Sequence, residues 1–138
     1  MTIVKNYVTT LVKSMMVIAV AAFSFASCKK DKQEPTNNNI IGIWEGVWGN
    51  GGNPPQNFIK FEFKSNGEMT RIDEQGQVTA NGTWTLNGVQ FDCTYTHLSD
   101  GQTHKIGGLY TDFDDVITGT WGFSPSKTNG GNVELEKQ

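Results

Sequence analysis

The sequence predicts an all-β domain, an eight-stranded antiparallel up-and-down barrel. Three observations carry that expectation. Eight short segments alternate apolar and polar residues, or are rich in β-branched and aromatic side chains. Turn signals separate them, including tight Asn-Gly pairs, so consecutive strands are antiparallel neighbours. The composition, with 16 Gly, 11% aromatic and only 18% charged residues in 138, suits sheets. Helices would need Glu, Lys, Ala and Leu on their exposed faces, and no segment of the domain sustains a helical period.

In chain order, residues 1–27 come first and differ from the rest. Lys5 and Lys13 are their only charges, and Met15 to Phe23 is an apolar run. Small residues then lead to Cys28. A basic start, a short apolar core and small residues before a break predict a secretory signal. The alternative, a membrane-spanning helix, needs roughly 20 apolar residues, and the run is well short of that.

Phe25-Ala26-Ser27-Cys28 resembles the lipobox of bacterial lipoproteins. That resemblance implies that the signal is cut before Cys28 and that Cys28 is the lipidation site, carrying diacylglycerol and often an N-acyl chain such as palmitate. Several acyl chains hold a protein stably on a membrane, at about 0.8 kcal/mol per buried CH₂. Residues 28–39 follow as a flexible tether; Lys29 to Asn39 is polar, with Pro35 and an Asn run, and cannot bury a core. Lys29-Lys30-Asp31 resembles the start of many lipoproteins of the Bacteroidetes type, and Lys29 stands where the inner-membrane retention signal of enteric lipoproteins has an Asp, which implies an outer-membrane location in the cell envelope, in either leaflet.

Residues 40–138 form the predicted barrel. Its strands are expected near Ile41–Trp48, Asn57–Lys64, Glu68–Asp73, Gln77–Leu86, Val89–His97, His104–Thr111, Val116–Phe123 and Asn132–Lys137. Ser65-Asn66-Gly67 and Leu86-Asn87-Gly88 are hairpin turns, and further Gly-containing turns supply positive φ elsewhere. Eight strands can also stack as a sandwich, but closure removes exposed edges. The expected inward face carries Ile59, Phe61, Phe63; Val78, Ala80, Trp84, Leu86; Phe91, Cys93, Tyr95; Ile106, Tyr110; Ile117, Trp121, Phe123; and Val133, Leu135. Lys60, Glu62, Lys64 and a series of threonines occupy the other face.

Gly42-Ile43-Trp44, Gly82-Thr83-Trp84 and Gly119-Thr120-Trp121 are three Gly-x-Trp triplets. With the Val116–Trp121 phrase and the Asn132–Lys137 ending, they resemble the calycin group, which includes the lipocalins. The resemblance implies a lipocalin-like barrel with the Trp of the first triplet, Trp44, closing its floor, and a small apolar or amphipathic ligand inside.

Chemistry is sparse. The domain has 12 acidic and 6 basic side chains, a net charge of −6, which argues against a nucleic-acid partner. Cys93 lies between Phe91 and Tyr95 and is expected to be a buried, inert thiol. His97 and His104 flank the Ser99-Asp100-Gly101 turn, where two His and an Asp suit a metal or a general base. No third ligand stands at a recognised spacing, so a solvated hairpin mouth is expected. Asp112-Phe113-Asp114-Asp115 lacks the Gly and distal Glu of a calcium loop and reads as a solvated acidic turn. The Gly49-to-Pro55 loop is long enough to lid a barrel mouth. No cofactor motif is present and no enzyme activity is expected.

Two functions remain open. In the first, Trp84, Phe91, Tyr95, Tyr110 and Trp121 line a pocket for a small apolar or amphipathic ligand. In the second, the barrel is filled and its surface meets another envelope or host protein. An interior void of about 300 Å³ or more separates the first from the second.

Overall fold

The computed structural model describes residues 39–138. The signal (1–27), the lipidation site Cys28 and the tether up to residue 38 lie outside the described residues. The described chain is a closed barrel of eight antiparallel strands in sequence order. They are β1 (Gly42–Trp48), β2 (Asn57–Phe63), β3 (Glu68–Ile72), β4 (Val78–Asn87), β5 (Gln90–His97), β6 (Thr103–Thr111), β7 (Val116–Phe123) and β8 (Gly131–Lys137). Closure is made by β1 against β8, from Trp44↔Lys137 to Trp48↔Val133. Every strand therefore has two neighbours, and no edge is left to recruit another chain.

Period-two alternation decides which side chains fill the interior. On β2, Ile59, Phe61 and Phe63 are buried between half-buried Lys60 and Glu62. On β5, Phe91, Cys93 and Tyr95 are buried. Lys60 pairs with Glu45 across the outer surface of β1 and β2 at 2.7 Å.

Two expected inward residues differ. Val78 is 46% exposed and Phe123 is 40% exposed. A register shift between Arg71 and Ile72 sets Val78 opposite Ile72, out of phase with Ala80. A bulge of this kind bends a strand and re-aims the side chains beyond it. Phe123 keeps its inward parity, but it is the last residue of β7, where the barrel opens.

Two of the three Gly-x-Trp glycines sit where strands approach most closely. A Cβ on Gly82 would collide with the backbone of Thr94 and Tyr95, and one on Gly119 with that of Gly107 and Gly108. Each lets the backbone of the neighbouring strand approach closely.

Aromatic rings form two clusters. At the closed end, Phe63 lies within 6.2 Å of Trp44, 5.9 Å of Trp84 and 5.3 Å of Phe91. Tyr110 meets Trp44 edge-on at 6.0 Å. Trp44 is fully buried, and its indole N–H donates to the Ile40 carbonyl at 2.7 Å. The second cluster lies at the opposite end, under the β1–β2, β3–β4, β5–β6 and β7–β8 loops. Phe61 joins the two, at 5.8 Å from Phe63 and 5.4 Å from Tyr95.

Candidate functional site

The candidate site is the open end. It is built by the inward residues that the alternation places near that end of their strands. β3 contributes Arg71, β5 contributes Tyr95 and His97, β6 contributes His104, and β7 contributes Trp121 and Phe123. The register brings them into one row. Arg71 and His97 both pair with Ala80, whose small side chain leaves the space between them open. Tyr95 pairs with His104, which in turn pairs with Phe123.

The polar contacts form a chain. Arg71 Nη1 lies 3.3 Å from His97 Nε2, and His97 Nε2 lies 3.4 Å from His104 Nδ1. His104 Nε2 lies 3.0 Å from Gln102 Oε1, and the tautomer that pairs with this oxygen carries its proton on Nε2. His104 Nδ1 is then an acceptor. His97 Nε2 can donate to it or accept from Arg71, but one nitrogen cannot do both. Among the described residues Arg71 meets no carboxylate within 4 Å.

Aromatic rings wall this chain. Tyr95 is 5.5 Å from both imidazoles. The two imidazoles are 4.7 Å apart, and His104 lies 5.3 Å from Trp121 and 4.9 Å from Phe123. Trp48 stands edge-on to Trp121 at 5.0 Å. The Gly49-to-Pro55 loop is pinned to this rim, because Trp121 Nε1 donates to the Gly49 carbonyl at 2.8 Å and Gly51 N–H donates to that of Gly130 at 2.7 Å.

Both histidines titrate below the ordinary imidazole value. Burial is the main cause for each; Arg71 adds to it for His97, and His97 and then Arg71 add to it for His104. Asp100 opposes the shift in both. Burial also pushes the Tyr95 hydroxyl up, against the pull of the Arg71 charge.

A half-open cavity of ≈ 30 Å³ lies within this cluster, lined by Trp48, Ile59, Arg71, Tyr95, His104, Trp121 and Val133. That is room for about one water molecule. A shallow groove of ≈ 520 Å³ shares Arg71 with it, and its lining also includes His97, Phe58, Asp73 and Glu74. The described residues contain no group of three or more His, Cys, Asp or Glu arranged around a metal position. The guanidinium beside His97 Nε2 also disfavours a cation there.

The five residues expected to line a ligand pocket divide between the two ends. Tyr95 and Trp121 line the open-end cavity. Trp84, Phe91 and Tyr110 belong to the closed-end cluster. Trp84 Nε1 donates to the Lys64 carbonyl at 3.0 Å. The Tyr110 hydroxyl donates to Asp115 at 2.8 Å and reaches Asp112 at 3.3 Å. Cys93 is a free, fully enclosed thiol whose pKa burial pushes up, with Asp92 adding to it.

Arg71 is the residue that sequence reasoning missed. A charged side chain in an amphipathic strand reads as solvent-facing. The available signal was its parity, since Arg71 stands two residues after the buried Met69. Compared with protein-family models, with curated proteins and with solved structures, the chain finds no match.

Proposed function

We propose that the chain is a lipid-anchored, non-catalytic cell-envelope protein of the lipocalin-like type, held on the outer membrane through Cys28. Its filled barrel is a rigid scaffold, and its open rim meets another envelope or host protein. The observation that carries this reading is the size of the cavity among the open-end aromatic rings, ≈ 30 Å³. A small-molecule pocket occupies about 300 Å³ or more. The closed-end rings take up the volume a lipophilic ligand would need, and interiors packed in this way do not open without cost.

The start of the described chain supports the arrangement. Asn39 is held at the closed end, where its side-chain amide donates to Asp112 at 2.9 Å and its carbonyl accepts from Lys137 Nζ at 2.7 Å. Asn39 and the rim thus stand at opposite ends of the barrel. A second reading, a small amphipathic ligand, is favoured only by Tyr95 and Trp121 lining the cavity beside the groove.

Native mass spectrometry of the protein isolated from its host tests the filled-barrel reading. The expected spectrum shows the lipidated mass without a further small-molecule adduct. A stoichiometric lipophile that survives isolation would return the barrel interior to a ligand-carrying role.

A further inference from the structure

We propose that the closed end of the barrel docks on the lipid bilayer that holds Cys28, with Phe113, in the β6–β7 turn, seated at the headgroup level. The proposal rests on the lipid-anchor reading and adds to it a protein face that touches lipid.

Three observations carry it. First, the exposed large apolar side chains divide between the two ends. Val78, Leu98 and Phe123 stand at the open rim, and Val89, Leu109 and Phe113 at the closed end. The Tyr110 N–H donates to the Val89 carbonyl at 2.8 Å, so Val89 and Leu109 lie close together on the flank of that end. Phe113 is 93% exposed. Apolar residues scattered singly over a surface are ordinary, whereas a phenyl ring almost wholly in water on a braced turn, with two apolar neighbours at the same end, has a use.

Second, the turn is built to hold that ring out. Asp112 and Asp115, before and after it, are tied to the barrel by the Tyr110 hydroxyl at 3.3 and 2.8 Å. The Asp115 carbonyl also accepts from the Lys137 N–H at 3.0 Å, and Asp115 takes a positive φ of 51°, a left-handed conformation that reverses the chain tightly. Both of these carboxylates are engaged on the barrel, so they do not accompany the ring into lipid. Asp114 is exposed beside it, which favours a shallow seat at the headgroup boundary over deep entry into the acyl chains.

Third, the residue that leads to Cys28 is bonded to this turn. Asn39 Nδ2 donates to Asp112 Oδ1 at 2.9 Å, and the Asn39 carbonyl accepts from Lys137 Nζ at 2.7 Å. At no more than about 3.6 Å per residue, the stretch from Cys28 to Asn39 reaches about 40 Å at most. A bilayer that holds Cys28 is therefore within reach of Phe113. One phenyl ring binds a bilayer weakly from solution, but an acyl anchor turns the contact into an intramolecular step at high effective concentration. Lipid is the occupant that the anchor brings to this face, and the rim at the other end stays free for a partner.

The test uses the lipidated protein isolated from its host and reconstituted into phosphatidylcholine vesicles, with a polarity-sensitive dye on a cysteine. Thr111→Cys carries the dye beside the turn, and Leu98→Cys carries it at the rim. Both positions are exposed, and Cys93 is enclosed and does not compete for the dye. Nitroxide-labelled phosphatidylcholine is the quencher. The expected result is a blue-shifted dye at position 111, quenched severalfold more than at position 98. Phe113→Ser added to Thr111→Cys is expected to bring the quenching down to the level at position 98. Circular dichroism establishes that each variant is folded, and Asp114→Cys takes the place of Thr111→Cys if that variant is not. Sedimentation with the vesicles reports the anchor separately. Docking is overturned if the dye at position 111 stays in water on vesicle-bound protein, if the dye at position 98 is quenched as strongly, or if Phe113→Ser changes nothing; each of these leaves the anchor standing. Protein that does not sediment with the vesicles removes the anchor, and docking with it.

Discussion

Arg71 is the only arginine of the chain, and its position on β3 rather than its charge decides where it points. It lies beside two imidazoles that titrate below about 6.5, the ordinary value for histidine. The sign follows from linkage. As pH falls through that value the unfolded chain takes up protons that the folded rim refuses, so the barrel loses stability, and the loss is complete below the folded-state values. The urea midpoint is expected to be lower at pH 5.5 than at pH 7.5, and a His97→Gln/His104→Gln variant to flatten the difference. An unchanged wild-type midpoint would count against the half-buried, neutral pair. At the other end, Tyr110→Phe removes the hydroxyl donor from Asp115 and Asp112. The expected cost is about 1–2 kcal/mol in urea unfolding. Cys93 is enclosed and held as a thiol, so it is expected to react with a thiol reagent only at the rate of unfolding. Rapid modification of folded protein would contradict that burial. The two histidines were visible as a pair from the hairpin between them. Their arginine was not, because hydrophobic alternation identifies inward positions by apolar residues and is silent where the inward residue is charged.

At the scale of elements, the strands were legible almost residue by residue. Asn-Gly and other Gly turns bound them, and β-branched and aromatic residues at period two fill them. What escaped was phase. The shift between Arg71 and Ile72 turns Val78 outward, although Val78 and Ala80 share a parity in the sequence. A bulge is a two-strand event, and one strand read alone does not display it. The glycines of the triplets illustrate the same dependence. In the sequence Gly82 stands out only as part of a Gly-x-Trp triplet, while the reason for it lies across the pair, at the backbone of Thr94 and Tyr95. Gly82→Val is therefore expected to prevent β4 from pairing with β5 and to abolish the cooperative unfolding transition seen by circular dichroism. A variant that unfolds like the parent would show that the sheet accommodates the side chain.

For the whole molecule, the two ends differ because the same alternating pattern ends in different residues. The closed end finishes in Trp44, Phe63, Trp84, Phe91 and Tyr110, and the open end in Arg71, Tyr95, His97, His104 and Trp121. Phe61 bridges them and is fully buried. Phe61→Ala is expected to cost about 3–5 kcal/mol in urea unfolding, since a filled core relaxes only partly around a lost ring. A cost near 1 kcal/mol would mean a looser interior than the packing implies. Cys28→Ala is expected to move the protein out of the detergent phase and to end its labelling with palmitate; unchanged partition would remove the lipid anchor from the proposal. The sequence by itself determined the fold class, the strand order and most of the inward aromatic residues, because alternation and turn chemistry are local and repeat along the chain. Only the tertiary structure decided that the cavity at the open end is small, that the expected pocket residues divide between two ends, and that Arg71 joins the histidine pair. Those outcomes depend on closure and register, which set side chains from distant strands against one another and leave no trace in the spacing of any one strand.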